Sequence, residues 1–151
     1  MNRFATAHDV DRIAALRLQM FHEIGTADQL TDNFLLKTAE FYTNEYQKKK
    51  CIHVVYERDA SVIGCAGGSI RADEFLSASF RMPHYGYLMD VYVIPEYRRE
   101  GIAKGMIEML LPWFQSAGVS VVNLDASRLS GDLYQKLGFK ASIEMTKKLN
   151  R

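Results

Sequence analysis

An apolar strand that leads into an apolar helix constrains the fold of this chain most. The segment YGYLMDVYVI, from Tyr85 to Ile94, predicts a buried central strand, and Pro95 ends it because proline cannot donate to a sheet ladder. The helical spacing of apolar residues that follows predicts a helix from about Arg99 to Ala117, ended by Gly118. The next apolar segment, VSVVNLDA, predicts another strand. A strand, a crossover helix and a strand in this order make the two strands parallel.

The elements on either side of this unit are predicted from the same kinds of pattern. Upstream lie a short strand (RFATA), a helix capped by Asp9 and ended by Gly25, a helix capped by Thr31, and the antiparallel strands CIHVVYER and VIGCAGGSI. The Gly67-Gly68 pair predicts a bulge or a close backbone approach. Downstream lie a short helix, SRLSGDLYQKLG, and a final strand or hairpin, FKASIEMTKKL. The order predicts an α/β fold of the α+β type, with a mixed central sheet and about four flanking helices.

Length and composition narrow the class of protein. The 151 residues, 48% hydrophobic and 25% charged, suit one domain over residues 1–151 with its own core. A net charge of +1 disfavours nucleic acid and anionic membranes as partners. No apolar run approaches the roughly 20 residues of a membrane span, and the N-terminal residues lack a signal-peptide core. The histidines lack ligand spacing, and Cys51 and Cys65 are interpreted as reduced core residues, so we expect no metal and a cytoplasmic location.

The loop between the central strand and its helix, PEYRREGIAKG, has the properties of an anion site. Gly101 allows a tight turn, and the first amides of the following helix have no partners inside that helix. These amides and the helix dipole favour an anion, and Arg98 and Arg99 add fixed positive charge. The alternative is a solvated turn rich in charge. The apolar strand and helix on either side favour a turn that is held still, and therefore a site for phosphate.

Two motifs in this region resemble those of a known family. The stretch LMDVYVIPEYRREGIAKGMIEMLL resembles the acetyl-CoA signature of the GNAT superfamily of N-acyltransferases, in which a strand ending in V-x-P precedes Q/R-x-x-G-x-G/A and a helix. Arg98, Gly101 and Ala103 occupy the Q/R, G and G/A positions. The segment LYQKLGF, from Leu133 to Phe139, is similar to the family's L-Y-x-K-x-G-F. Many members carry Asn seven residues before the tyrosine, where this chain has Ser127.

The resemblance implies a GNAT-like fold in which the sheet is splayed between its fourth and fifth strands. Acetyl-CoA would fill the gap, with its pantetheine arm paired to the backbone near Val91 and Val93 and its pyrophosphate on the amides from Arg99 to Ala103. The Val93 amide would also face the thioester carbonyl and stabilise its developing charge. The implied cofactor-binding residues are Val91, Tyr92, Val93, Arg98, Arg99, Glu100, Gly101, Ile102, Ala103, Ser127 and Tyr134.

Acyl transfer to an amine needs two proton movements, and the resemblance assigns one of them. Tyr134 matches the family's tyrosine that protonates the leaving thiolate or holds the sulfur. A phenol with a pKa of about 10 stays protonated at neutral pH, as a general acid must, although a half-buried packing tyrosine is the alternative. For the base we single out Asp90 in the central strand, where the alternative is a carboxylate satisfied by backbone amides or an arginine. His84, Glu57 and a water chain are weaker candidates.

The acceptor pocket is expected near the start of the central strand. Tyr85, Tyr87 and Tyr92 cluster on this strand and either line the pocket or pack in the core. The long irregular segment before the strand, RADEFLSASFRMPH, is expected to shape the entrance, with Phe80 and Met82 as candidate contacts. The acceptor itself stays open between a small amine, an amino acid, an antibiotic amine, and a protein terminus or lysine. The family's habit also suggests a homodimer.

The sequence therefore predicts an N-acetyltransferase that moves an acetyl group from acetyl-CoA to a primary amine by direct attack in a ternary complex. Cys51 and Cys65 lie outside the settings that activate thiols, so no covalent enzyme intermediate is expected. Two alternatives come from other classes. One is a non-catalytic acyl-CoA-binding regulatory module, and the other is a phosphate-binding domain for another nucleotide.

Overall fold

Five strands form one open sheet in the order β1-β2-β3-β4-β5. The arrangement is that of a computed structural model, which describes residues 1–126, 130 and 132–149. The strands are β1 (Asn2–Phe4), β2 (Cys51–Arg58), β3 (Ser61–Arg71), β4 (Tyr85–Val93) and β5 (Val122–Asn123). The α-helices are α1 (Val10–Ile24), α2 (Phe34–Gln47), α3 (Glu74–Ser79), α4 (Ile102–Ser116) and α5 (Leu133–Lys136). The predicted mixed α/β architecture is confirmed, with five α-helices among these residues instead of about four.

The sheet is antiparallel from β1 to β4 and parallel between β4 and β5. β5 pairs with β4 at only two positions, Gly86 with Val122 and Tyr87 with Asn123. Beyond these pairs, β4 continues for six residues to Val93, and the described residues contain no strand that pairs with it on that side. The predicted splay between the fourth and fifth strands is therefore present, and it leaves one edge of β4 open.

Two apolar clusters cover the two faces of the sheet. On the α4 face, helix α4 packs on β2, β3 and β4 through its buried residues Ile102, Met106, Ile107, Leu110 and Phe114. On the opposite face, which we call the α1/α2 face, the buried residues of the two helices are Val10, Ile13, Leu16, Ala39 and Tyr42. The sheet is therefore covered on both sides around β4, and the gap beside β5 lies at the edge of both layers.

The glycine pair of β3 marks close approaches on both faces. A Cβ at Gly67 would lie 2.6 Å from Nε2 of His53, and a Cβ at Gly68 would lie 2.8 Å from the Phe114 ring. No real side chain tolerates such distances without a shift of its neighbour. The close backbone approach predicted for this pair is confirmed, and one of its two neighbours is a buried histidine.

Several element boundaries differ from the prediction. Asp9 occupies the N-cap position of α1, but its carboxylate accepts hydrogen bonds from Arg3 and Thr6 instead of the helix amides. Helix α2 begins at Phe34, three residues after Thr31. Helix α4 begins at Ile102, because the residues before it form the loop described below. No helix among the described residues has the length and apolar character of a membrane span.

The prediction of a final strand is wrong for the described residues, since those from 140 to 149 form no strand. The segment has the alternating apolar residues of a strand, but Ile143 and Met145 are 96% and 94% exposed. An alternating pattern forms a strand only when another strand pairs with it. For the same reason the predicted strand VSVVNLDA is reduced to the two residues that find partners on β4.

Candidate active site

The backbone of β4 has a bulge in its middle, at Asp90 and Val91. The register between β3 and β4 shifts between Cys65 and Gly67, which leaves two β4 residues opposite one β3 residue. Asp90 has a φ of 57°, in the left-handed region that residues other than glycine rarely adopt. Such a conformation persists only where the surroundings hold it, and it is common at functional sites. The bulge lies in the half of β4 that borders the gap.

The Asp90 carboxylate is buried and accepts three side-chain hydrogen bonds. Arg17 of α1 and Tyr42 of α2 donate two of them. His53 of β2 contributes the third, at 2.9 Å between its Nε2 and Oδ2 of Asp90. The other ring nitrogen of His53 lies 2.7 Å from the hydroxyl of Tyr46, one turn further along α2. Groups from three elements of the α1/α2 face therefore converge on the bulge and hold Asp90.

These neighbours decide the charge of Asp90. Burial alone would raise the pKa of this carboxyl, but the hydrogen bond with His53 and the positive charge of Arg17 lower it to about 2. Burial also raises the pKa of Tyr42, so its hydroxyl stays protonated and donates. At neutral pH Asp90 is an anion whose side chain has no exposed surface. Asp90 was predicted either to act as the base or to be satisfied by backbone amides or an arginine, and the geometry shows it paired with Arg17.

The other candidate bases and the two thiols lie in different settings. Glu57 accepts a hydrogen bond of 2.8 Å from Arg3, where β2 meets β1, and His84 is exposed directly before β4. Burial raises the pKa of the Cys51 thiol to about 12 and that of Cys65 well above its usual value. Protonated thiols are weak nucleophiles, which favours direct attack. The described residues contain no group of His, Cys, Asp or Glu side chains suited to a metal ion.

The loop between β4 and α4 presents a run of backbone amides without protein partners. Arg99 and Gly101 both have positive φ, 67° and 78°, and α4 begins directly after them. Among the hydrogen bonds of the described residues, none is donated by the backbone amides of residues 99–104. Amides at a helix N-terminus have no partner inside the helix, and an anion suits them best. The loop therefore has the form that the sequence predicts for a phosphate site.

Arg98 ties this loop to two neighbouring elements. Its Nε donates to the carbonyl of Val93 at 2.8 Å, and its Nη2 donates to Glu23 of α1 at 2.7 Å. These donors are used within the protein, so the side chain fixes the loop against the end of β4. Arg99, like Arg98, is exposed. Glu100 points towards Arg58 on the surface, at 3.2 Å.

The predicted cofactor-binding residues fall into two adjoining groups. Three lie along the open edge of β4: Val91, Tyr92 and Val93. Six form the loop and the first residues of α4: Arg98, Arg99, Glu100, Gly101, Ile102 and Ala103. Ser127, the residue at which the chain departs from the family pattern, lies outside the described residues.

Tyr134 lies half-buried on α5. Its ring packs edge-on against Phe139, with 6.0 Å between the centroids, and joins the apolar cluster of the α4 face. Val91 of β4 and Leu124, just after β5, pack against the same cluster, so Tyr134 lies on the α4 face of the sheet. Burial raises the pKa of Tyr134, although a hydrogen bond with Ser130 partly offsets this effect. The hydroxyl is therefore protonated at neutral pH, as a general acid requires.

A side-chain link joins the two strands where their ladder ends. The hydroxyl of Tyr87 donates to Asp125 Oδ2 at 2.7 Å, and Asp125 follows β5. Burial and this hydrogen bond raise the pKa of Tyr87 to about 12, so the hydroxyl remains a donor. The guanidinium of Arg71 lies 3.7 Å above the centre of the Tyr87 ring. Tyr87 was predicted either to line the acceptor pocket or to pack in the core, and it lies at the mouth of the gap.

Sequence reasoning identified the bulge carboxylate but missed the groups that hold it. Arg17, Tyr42 and His53 are far apart in the chain, and only the packing of α1 and α2 on the sheet brings them together. One local signal was present. Tyr42 and Tyr46 are four residues apart on a helix, a spacing that places both on one face. Two tyrosines on a buried helix face indicate that polar groups in the core accept or donate hydrogen bonds to their hydroxyls.

Comparison with known proteins adds a family to this geometry. A family model described as the acetyltransferase (GNAT) family matches residues 18–139. The match contains the bulge, the amide loop and Tyr134. Of the groups that hold Asp90, it includes Tyr42 and His53, and it begins one residue after Arg17.

Individual relatives match over shorter stretches. The chain is 43% identical over 56 residues to a glucosamine 6-phosphate N-acetyltransferase from Trypanosoma brucei brucei, which covers 37% of this chain and 38% of that protein. It is 30% identical over 89 residues to an aminoglycoside N(6')-acetyltransferase type 1 from Acinetobacter genomosp. 13, which covers 57% and 60% of the two chains. Both matches span less than two thirds of the relative.

One solved structure matches the whole fold. It is an acetyltransferase from Clostridium acetobutylicum, solved with acetyl-CoA, and it superposes with a TM-score of 0.83. The alignment covers 99% of this chain and 95% of the other, at 21% identity. The superposition shows that the two chains share a fold, and at this identity it shows the fold alone.

Proposed function

The chain belongs to the acetyltransferase (GNAT) family, and on that premise we propose that it transfers an acetyl group from acetyl-CoA to a primary amine of a small molecule, by direct attack in a ternary complex. One observation carries the proposal: the unpartnered amides of residues 99–104 adjoin the open edge of β4, which leads to the bulge. Acetyl-CoA supplies the activated acetyl group as a thioester. Two relatives are named for small amines, glucosamine 6-phosphate and aminoglycosides.

Two backbone surfaces suit the two halves of this co-substrate. The amides of residues 99–104, at the positive end of the α4 dipole, would hold the diphosphate. The open edge of β4 at Val91 and Val93 would pair with the amides of the pantetheine arm, as a peptide pairs with the edge of a sheet. Arg98 would keep the two surfaces in register, because it joins the loop to the carbonyl of Val93.

Tyr134 is proposed as the general acid of the transfer. A bond forms between the amine nitrogen and the acetyl carbon, and the bond from that carbon to sulfur breaks. The amine gives up a proton to solvent water, the sulfur gains one from a general acid, and that acid recovers its proton from water. Tyr134 would deliver the proton to the sulfur, because burial keeps its hydroxyl protonated and its ring packs in the apolar cluster that Val91 and Leu124 also join.

Asp90 is proposed to position the backbone instead of contacting the amine. A base has to reach the proton that it removes, whereas this carboxylate has no exposed surface and accepts three hydrogen bonds. Its role would be to hold the bulge, so that the amides that follow it face the gap. A displaced backbone at this point would misalign the thioester carbonyl and slow the reaction.

Calorimetry and a thiol-release assay with a panel of amines test the proposal. We expect the protein to bind acetyl-CoA and CoA but not ATP, and to release thiol with at least one amine. Tyr134→Phe should bind acetyl-CoA normally and lose roughly 100-fold or more of kcat. Ser116→Ala is the control, since it also removes a hydroxyl, one that donates to the carbonyl of Pro112 near the end of α4. CoA binding without thiol release from any amine would indicate a non-catalytic binding module, and no CoA binding would refute the proposal.

A further inference from the structure

Arg71, the last residue of β3, is an exposed guanidinium that is held in a fixed place. Its Nε donates to Ser69 Oγ at 3.0 Å, and its plane lies over the Tyr87 ring at 3.7 Å. The Tyr87 ring is fixed in turn by its hydrogen bond to Asp125 across the mouth of the gap. A guanidinium on a flexible stem loses much side-chain entropy when a ligand orders it. Arg71 is already ordered.

The alternation of side chains along β4 places this guanidinium on the α1/α2 face. Leu88 belongs to the core under α4, and a Cβ on Gly86 would collide with that core, so Tyr87 and Met89 point the other way. Arg71 contacts the Tyr87 ring and also lies 3.8 Å from the sulfur of Met89, the residue before the bulge. Helices α1 and α2 cover this face over Asp90 but leave Arg71 exposed and Met89 only partly buried. The acceptor would therefore reach the bulge from the side of Arg71.

The donors of Arg71 that suit an anion are the ones left without protein partners. Nε is used by Ser69, and Nη2 contacts only a thioether, which is a weak acceptor. Among the described residues, Nη1 donates no hydrogen bond and no carboxylate pairs with Arg71. Asp73, the nearest acidic residue in the chain, is occupied in capping α3, where it accepts from the Leu76 amide at 2.6 Å.

We propose that Arg71 forms an anion subsite of the acceptor pocket, so that the acceptor is an amine that also carries a phosphate or carboxylate group. The inference rests on the proposed function, since it specifies the acceptor of that reaction. The Nη1 and Nη2 edge of the guanidinium would grip the anion with two parallel hydrogen bonds, while the amine lies at the bulge. The same geometry disfavours acceptors that carry only positive charges, because Arg71 repels them.

Matched pairs of amines test this subsite. Glucosamine 6-phosphate is compared with glucosamine, and alanine with alaninamide, by titration into the protein saturated with CoA, so that binding is measured without turnover. In at least one pair, we expect the member that carries the anion to bind roughly tenfold or more tightly than the member that lacks it. The pair that shows the preference identifies phosphate or carboxylate as the anion. The same pairs are then assayed with acetyl-CoA for thiol release.

Two variants with the same charge change separate the subsite from general electrostatics. Arg71→Gln should abolish the preference, mainly by weakening the binding of the member that carries the anion. Arg12 lies on α1 and donates to the carbonyl of Val62 at the other end of β3, so Arg12→Gln should keep the preference. The inference is wrong if neither member with an anion binds more tightly than its partner without one, or if Arg71→Gln retains the preference. A preference in binding with no thiol release from any amine would instead contradict the proposed function.

Discussion

Replacing Asp90 by asparagine removes the charge on which the network at the β4 bulge converges. Breaking a buried ion pair by removing one partner costs about 3–5 kcal/mol. Arg17 keeps 27% of its side chain exposed and can turn to solvent, so we expect the lower end, about 3 kcal/mol. In a domain of this size 1 kcal/mol shifts Tm by about 2–4 °C, so Tm should fall by roughly 6–12 °C.

The pH dependence of stability provides an independent check on the same group. The pKa of Asp90 is about 2 in the folded protein against an ordinary value of 3.8. A carboxyl with a lowered pKa stabilises the fold above its unfolded pKa, and this stabilisation is lost as pH falls through the folded one. Asp90→Asn lacks that contribution at every pH. The Tm values of the wild-type protein and of the variant should therefore differ at neutral pH and converge between about pH 4 and pH 2.

Kinetics separate a positioning role from a purely structural one. If the network aims the amides beside the bulge, Asp90→Asn should lower kcat about 10- to 100-fold at a temperature where the variant is folded. The KM for acetyl-CoA should change little, because the amide loop lies at the far end of β4. Glu108→Gln is the control: its carboxylate is 53% exposed and lies 3.8 Å from Lys104, so it should change Tm and kcat very little. Wild-type Tm and kcat in Asp90→Asn would refute the reasoning.

Two further predictions concern the same framework. Gly67→Ala places a Cβ 2.6 Å from Nε2 of His53, so it should displace that ring. Chemical denaturation should show a fold less stable by about 1–3 kcal/mol, and kcat should fall. Wild-type values of both stability and kcat would show that the ring does not hold the bulge. Arg98→Ala removes the link from the loop to Val93 and Glu23. Calorimetry should therefore show several-fold weaker binding of acetyl-CoA, while kcat at saturation is retained. An unchanged affinity would show that the loop holds its shape without Arg98.

The parts of the site that follow from sequence are local ones. The strand, Pro95, Gly101 and the apolar helix lie within one short stretch, and each acts on the backbone next to it. The amide loop and the splayed strands were therefore predicted, and so was Asp90 as a residue in need of a partner. The role of Tyr134 in catalysis and the identity of the acceptor depend on groups that are distant in the chain, so both are stated above as proposals.

The parts that were missed or mistaken depend on distant contacts. For Arg98, which stays a predicted cofactor-binding residue, the pairing with Glu23, 75 residues away in the chain, was missed. The bulge is held by Arg17 and His53, which no spacing in the sequence relates to Asp90. The prediction of a final strand was wrong for a similar reason. An alternating apolar pattern favours a strand, but the strand forms only if a neighbouring strand is there to pair with it. Partners that tertiary packing brings together are what sequence patterns leave undetermined.

Backbone amide NMR spectra recorded while CoA is added test the central claim most directly. If the peptide N–H groups of residues 99–104 bind the diphosphate, their resonances should show the largest downfield shifts in the protein, followed by those of Val91 and Val93 along the open edge of β4. Spectra in which CoA binds tightly while the amides of residues 99–104 stay unshifted would contradict the account.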